Sequence, residues 1–324
     1  MSAENRLNEL LNGLQQMRAR HVPVAPAMPV ARVARPPSED SSAALARLAV
    51  MLRDYVGFRT TEHLQRKLQQ ALRHMDAQAL DQLLATLAAD SSRRELLAIV
   101  EDLTNHETYF FRDPMQLDVL SLHILPALIR QKARTDRTLR IWSAACSTGE
   151  EAWSLAMLAL QALLDAGHAR EPRPGHIEPA PGWTLDVLGT DIARPALRIA
   201  RDGAYSDDPL ASFRQFPAPF LRFFEEQRGK GPRYRRVRDS LRRHVSFENF
   251  NLVGNTPPRL QCDLVLCRNV LIYLDPGVQP DVQRTLRDAL RPGGHLMLGV
   301  VDRLWRREDF HEHWYGRTVI HERK

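Results

Sequence analysis

Near the middle of the chain, the run Ile141-Trp142-Ser143-Ala144-Ala145-Cys146-Ser147-Thr148-Gly149-Glu150-Glu151 reads as a short apolar strand that breaks into a small-residue loop and opens a helix. The helix continues through Trp153-Ser154-Leu155-Ala156-Met157-Leu158-Ala159-Leu160, a pattern that requires burial. Strand, loop and helix in that order place backbone N–H groups at a helix N-terminus, where nucleotide-like ligands dock in α/β proteins. The loop lacks the Lys that follows the glycine of a P-loop, and it lacks the three glycines of a dinucleotide fingerprint. Glu150 and Glu151 would repel a pyrophosphate, so a neutral or cationic ligand is expected.

The surrounding pattern sets the fold class. Candidate strands at 139–144, 184–190, 244–248, 263–267 and 295–301 alternate with helical segments. This predicts an α/β domain with a doubly wound, mainly parallel sheet and a ligand crevice at the carboxyl ends of the strands. Two insertions interrupt the alternation: a proline-rich loop at 167–182, and a charged segment at 213–243 that reads as an antiparallel hairpin around Gly229-Lys230-Gly231-Pro232. Upstream, residues 41–100 are rich in Leu and Ala at helical spacing. Leu45, Leu48, Leu52 and Tyr55 share one face, Leu64, Leu68, Leu72 and Met75 a second, and Leu80, Leu83, Leu84 and Leu87 a third. Residues 1–40 read as a short amphipathic helix and a proline-rich linker, and 101–138 as a linker helix leading into a domain at 139–324.

The 324 residues contain no apolar run near the roughly 18 residues needed to span a membrane, and the N-terminus has no apolar signal core. Cytoplasmic residence without membrane insertion is the expectation. Three cysteines at 146, 262 and 267 fit neither a metal site nor a disulfide framework and read as small buried hydrophobes. The net charge of +6 permits nucleic-acid, membrane or acidic-protein partners. No interleaved aromatic platform or groove-reading motif appears, so nucleic acid is not expected.

Polar residues at the predicted strand ends are candidates for ligand contact. Asp191 ends the second strand, where a carboxylate accepts ribose hydroxyls; the alternative is an N-cap for the helix near Arg194. Asn249-Phe250-Asn251-Leu252 follows the third strand, where an amide suits adenine or is simply a turn residue. Arg268 and Asn269 follow the fourth. S-adenosylmethionine, with a sulfonium and no phosphate, fits the acidic loop. Upstream, Phe110-Phe111-Arg112-Asp113-Pro114 is an apolar anchor that ends in a charged turn. Phe110 and Phe111 would pack on the sheet, and Arg112 would either pair locally or clamp a substrate carboxylate.

Five motifs carry a family resemblance in order and spacing: Asn105-His106-Glu107-Thr108-Tyr109-Phe110-Phe111-Arg112-Asp113-Pro114, the loop at 142–151, Thr190-Asp191-Ile192, Asn251-Leu252, and Cys267-Arg268-Asn269-Val270-Leu271-Ile272-Tyr273. Together they resemble the chemotaxis receptor methyltransferase (CheR) family over about residues 44–315. The resemblance implies a Rossmann-like S-adenosylmethionine methyltransferase domain with a small all-helical N-terminal domain and an inserted antiparallel β-subdomain. It also implies methyl transfer to glutamate side chains of chemoreceptors, yielding methyl esters and S-adenosylhomocysteine. By the same resemblance Thr108 and Arg112 contact the cofactor, as do Ala144 at the strand end and Glu150 after the glycine. Asp191 holds the ribose, Asn251 and Leu252 flank the adenine, Arg268 and Asn269 border the methionine end, and Tyr273 lies near the methyl. The family commonly has Asn two residues before the Thr; here His106 stands there, and either it or Asn105 takes the contact.

A glutamate acceptor is already ionised at neutral pH, so positioning and desolvation should carry the rate, with Arg112 and Tyr273 the catalytic candidates. The inserted subdomain falls where some family members dock a receptor peptide. Between Arg228 and Arg243 it carries eight basic residues and one acidic one, which with Arg66, Lys67 and Arg73 could attract an acidic receptor surface. A monomer with no metal is expected. The alternative to an enzyme is a non-catalytic S-adenosylmethionine-binding regulatory module.

Overall fold

The structure, a computed structural model, describes residues 39–73, 75–90, 93–104, 107–208, 210–227, 233–259 and 261–324. The amphipathic segment at 1–20, the linker after it, Asn105, His106 and the Gly-Lys-Gly-Pro turn at 229–232 lie outside the described residues.

Two compact units are present. The first contains the described residues before position 105 together with Tyr273–Val278. Its helices are α1 (Glu39–Val56), α2 (Glu62–Leu72), α3 (Ala77–Ala89) and α4 (Arg94–Leu103). Leu48 and Leu52, Leu64, Leu68 and Leu72, and Leu80, Leu83, Leu84 and Leu87 are all buried, as the helical spacing predicts. Thr61 caps α2 by accepting from Leu64 N, and Asp76 caps α3 by accepting from Ala79 N. Gly57, with φ 72°, ends α1 through a bond from its amide to Arg53 O. Residues 273–278 join this unit by backbone pairing: Arg59 N donates to Tyr273 O and Asp275 N to Gly57 O.

The second unit contains the described residues from 107 to Ile272 and Gln279–Lys324. A helical run opens it as α5 (Pro114–Val119), a π-turn (Leu120–Ile124) and α6 (Leu125–Lys132). The π-turn falls just before Pro126, whose missing N–H interrupts the usual bonding ladder. The strands are β1 (Thr138–Ala144), β2 (Ala169–Arg173), β3 (His176–Pro179), β4 (Thr184–Asp191), β5 (Ala204–Ser206), β6 (Phe224–Gln227), β7 (Tyr234–Val237), β8 (Val245–Asn249), β9 (Cys262–Cys267), β10 (Leu290–Leu298), β11 (Phe310–Tyr315) and β12 (Thr318–Arg323). Between them lie α7 (Glu150–Asp165), α8 (Arg194–Asp202), α9 (Asp239–Arg242) and α10 (Gln279–Ala289).

Seven strands form the central sheet in the order β8-β4-β1-β9-β10-β12-β11, and every pairing is parallel except those of β12. The chain builds outward from β1 to β4 and β8, then returns to β9 and builds the other way. The order therefore reverses between β1 and β9, the point at which an open α/β sheet leaves a crevice. β9 is buried at all six positions, which explains its unbroken apolar run. The register puts Ala144 level with Thr190 and Cys267, Cys267 level with Leu298, and Thr190 level with Glu248. Five strands thus end at one rank, and each delivers its following residues to the same edge.

The structure corrects three expectations. Residues 167–182 are not simply a loop: they include the antiparallel hairpin β2–β3. The inserted sheet is three-stranded, in the order β5-β7-β6, and recruits β5 from ahead of position 213. The last predicted strand begins earlier, at Leu290, and is followed by the β11–β12 hairpin.

At the amino end of β9, Asp263 is fully buried. It pairs with Lys132 at 2.8 Å and with Arg291, and accepts from Arg140 N at 2.9 Å. Removing one partner of such a cluster strands the others. Asp263→Ala is therefore expected to cost about 3–5 kcal/mol of stability, read as a fall in the urea midpoint at unchanged slope.

Candidate functional site

The carboxyl ends of β1, β4, β8, β9 and β10 bring most of the candidate residues together. After Ala144 the loop turns through left-handed backbone at Ala145 (φ 60°), Ser147 (φ 52°) and Gly149 (φ 95°). Conformations of this kind are costly for residues other than glycine and persist where the surroundings over-determine them. Cys146 N donates to Thr190 O at 2.8 Å, and Ser147 N donates to Asp191 Oδ2 at 2.8 Å, so β4 holds the loop. At Gly149 a Cβ would lie 2.7 Å from Ala200 Cβ on α8, which makes the glycine a packing requirement.

Asp191 is buried at the end of β4, two residues before Ala193, which precedes α8. Its second oxygen accepts from Ala193 N at 2.8 Å. Two amides thus fix the carboxylate in an orientation set by both strands. Asn249, which sequence reasoning did not single out, donates through Nδ2 to Asp191 O and Ile192 O and ties β8 to the same corner. Asn251 accepts from Val253 N through Oδ1, closing a turn, and Leu252 beside it is buried.

The acidic pair divides its work. Glu150 is buried at the start of α7, where Thr148 Oγ1 donates to one oxygen at 2.6 Å and Ser212 Oγ to the other at 2.7 Å. Burial raises its pKa, while these two hydroxyls act to lower it. Glu151 accepts from Ser143 Oγ at 2.6 Å and pairs with Arg268 at 3.0 Å. Both carboxylates sit in the first turn of α7, where the helix dipole favours negative charge.

Arg268, which the resemblance places beside the methionine end, is also an internal tie. Its side chain is 1% exposed and donates to Gln116 Oε1, Glu151 Oε2, Arg112 O and Asp113 Oδ2, all at 2.7–3.0 Å. The physical reason is burial: a guanidinium taken out of water must find acceptors for its fork of N–H groups, and this one finds them on α5, α7 and the turn before α5. Arg268 therefore sets the position of Arg112. Gln116, the other partner, donates to Leu298 O at 2.8 Å and so links that turn to β10.

Arg112 lies between two left-handed residues, Phe111 (φ 57°) and Asp113 (φ 54°). Its half-buried guanidinium donates to Glu107 O at 2.8 Å. Thr108 is half-buried in the extended stretch just before. Phe110 and Phe111 do not pack simply on the sheet. Phe110 sits among Tyr205, Phe213, Phe216 and Phe224 at centroid distances of 4.9–5.6 Å, and Phe111 among Phe216 and Phe220. The inserted segment thus anchors the Arg112 turn through aromatic contacts. Tyr273 belongs to the helical unit, where it is 46% exposed.

All three cysteines are buried, and burial pushes each thiol's pKa up, which excludes them as thiolate nucleophiles. Among the described residues no cluster could hold a metal, and no helix is long and apolar enough to cross a membrane. Among the described basic residues of the inserted segment, Arg235 pairs with Asp207 and Glu226, Arg236 with Asp202, Arg238 with Glu225, and Arg242 with Asp239. A groove of about 660 Å³ lined by Phe111, Leu117, Leu122, Leu158, Gln161 and Phe220 contains none of Glu150, Asp191, Asn251 or Asn269.

The family model for the CheR methyltransferase, SAM binding domain, matches residues 106–320. The chemotaxis protein methyltransferase of Vibrio parahaemolyticus is 33% identical over 226 residues, covering 70% of this chain and 75% of that protein. Chemotaxis protein methyltransferase 1 of Vibrio cholerae is 33% identical over the same length and coverage. Chemotaxis protein methyltransferase 1 of Pseudomonas aeruginosa is 34% identical over 207 residues, covering 64% of this chain and 69% of that one. The donor set at the strand ends fits S-adenosylmethionine: carboxylates at 150 and 191, amides at 251 and 269, and no Lys or Arg between Ala144 and Glu151 to receive phosphate. Gly149→Ala is expected to weaken S-adenosylhomocysteine binding at least about tenfold by displacing the loop, measured by titration calorimetry.

Proposed function

The chain belongs to the CheR family of S-adenosylmethionine-dependent methyltransferases, and from that premise we propose that it methylates glutamate side chains on the cytoplasmic domains of chemoreceptors. The observation that carries this reading is the Arg112 turn, fixed through Arg268 to the switch-point edge that Ala144, Glu150, Asp191 and Asn269 share.

S-adenosylmethionine supplies an electrophilic methyl on a sulfonium. In this reading Asp191 holds the ribose, Asn251 and Leu252 flank the adenine, and Thr108, Glu150 and Asn269 hold the methionine end with the backbone at Ala144. Arg112 orients the acceptor carboxylate. No strong base is needed, because a glutamate with a pKa of about 4.3 arrives ionised. The work left to the protein is alignment and exclusion of water from two opposite charges that cancel as the methyl moves. A rigid Arg112 suits this task, since its backbone is held on one side by Arg268 and on the other by the aromatic anchor.

The test is incubation of the full chain with methyl-labelled S-adenosylmethionine and purified receptor cytoplasmic domains. Label should enter the receptor and leave on mild base treatment, as a carboxylate ester does. Tight binding of S-adenosylhomocysteine with no transfer to any receptor would instead support a regulatory module. Arg112→Ala is expected to lower kcat/KM by about 10- to 150-fold, the cost of one or two charge-assisted hydrogen bonds, in initial-rate measurements on the same receptor.

A further inference from the structure

Asn269 has a left-handed backbone, φ 60°, immediately after the buried Arg268. Asn tolerates this conformation better than other non-glycine residues, and its surroundings here favour it. The neighbour here is in the turn after β10. The Asp302 carboxylate accepts from Gly299 N at 3.1 Å and faces the backbone N–H of Asn269 across Gly299. Asp302 N donates back to Gly299 O at 3.0 Å, closing the turn on itself. Gly299 permits the approach: a Cβ there would lie 2.6 Å from Asp302 Oδ2 and 2.9 Å from Asn269 N. Three residues on two adjacent strand ends thus form one clamp, and any side chain at 299 would split it.

We propose that Asp302 is a positioning residue for the cofactor, its carboxylate holding the Asn269 backbone so that the Asn269 side chain is presented to S-adenosylmethionine. This rests on the reading above that Asn269 borders the methionine end. Ionised, the carboxylate offers two acceptor oxygens to these amides; protonated, it turns one of those oxygens into an O–H donor. Burial raises its pKa to about 6 while the two amides act to lower it. The ionisable group that senses it is the Cys267 thiol, which also faces Glu151 on α7 and is pushed well up by burial, so it stays protonated at neutral pH. Glu151 is already paired with Arg268. The clamp is therefore complete above about pH 6 and lost as the pH falls through that value.

The experiment is calorimetric titration of S-adenosylhomocysteine into the full chain, its Asp302→Asn and Asn269→Ala variants and the double variant, at about pH 7 and about pH 5. At pH 7 each single variant should bind about tenfold weaker, and the double variant no weaker than Asn269→Ala alone. From pH 7 to pH 5 the unsubstituted chain should lose affinity and Asp302→Asn should not. Asp302→Asn keeps the side-chain size and one acceptor oxygen, and its unfolding midpoint reports any general damage. Should it fail to fold, the pH response of the unsubstituted chain decides, because a flat profile overturns the proposal. Normal affinity in Asp302→Asn beside weak binding in Asn269→Ala also overturns it. Normal affinity in Asn269→Ala overturns the placement of Asn269 itself, and with it this inference.

Discussion

A guanidinium buried to 1% exposure cannot be left without acceptors, and the second unit is organised around meeting that demand for Arg268. Its partners come from the Arg112 turn, from Gln116 on α5 and from Glu151 on α7, while its own backbone follows β9. Segments more than 150 residues apart in sequence are thereby fixed to one point. The same contacts explain why Asp113 and Phe111 tolerate left-handed backbone: the turn between them is tied down by a charge-assisted bond to its carbonyl. Glu151, which looks in sequence like half of a symmetric acidic pair, is the counter-charge that makes this possible.

Four left-handed residues follow the carboxyl ends of β1 and β9. Ala145, Ser147 and Gly149 follow β1 and Asn269 follows β9, and each is restrained by an atom from another strand or by close packing against a helix. In β4 and β10 the restraint is a carboxylate accepting backbone amides, Asp191 in one case and Asp302 in the other. The strained edge is thus rigid before any ligand arrives, which lowers the ordering cost of binding.

Much of this architecture is legible in the sequence for simple reasons. β9 is buried on both faces and reads as an unbroken apolar run, and the helices of the first unit bury the leucines that their spacing marks. The strand-end residues are legible because the sheet's topology obliges polar groups after β1, β4 and β9 to share an edge. What the sequence hides is pairing. Nothing local in the sequence shows that Arg268 ties Gln116 and Asp113 together, because both are far from it along the chain. The ion pairs of the basic run after position 233 are also hidden, because Asp202 and Asp207 lie well before it in the chain. The β2–β3 hairpin is concealed by prolines at its ends, and β5 by its three-residue length.

The aromatic contacts of Phe110 and Phe111 make the inserted sheet and the Arg112 turn one cooperative element. Phe213, Phe216 and Phe224 surround Phe110, so the turn cannot open without exposing the cluster, and the cluster cannot loosen without freeing the turn. In the currency of amide exchange the two segments share a single opening free energy, although about 100 residues of chain separate them. A molecule that binds the inserted sheet only while the cluster is closed would therefore lower the open population of the Arg112 turn. The reverse holds to the same degree, as linkage requires.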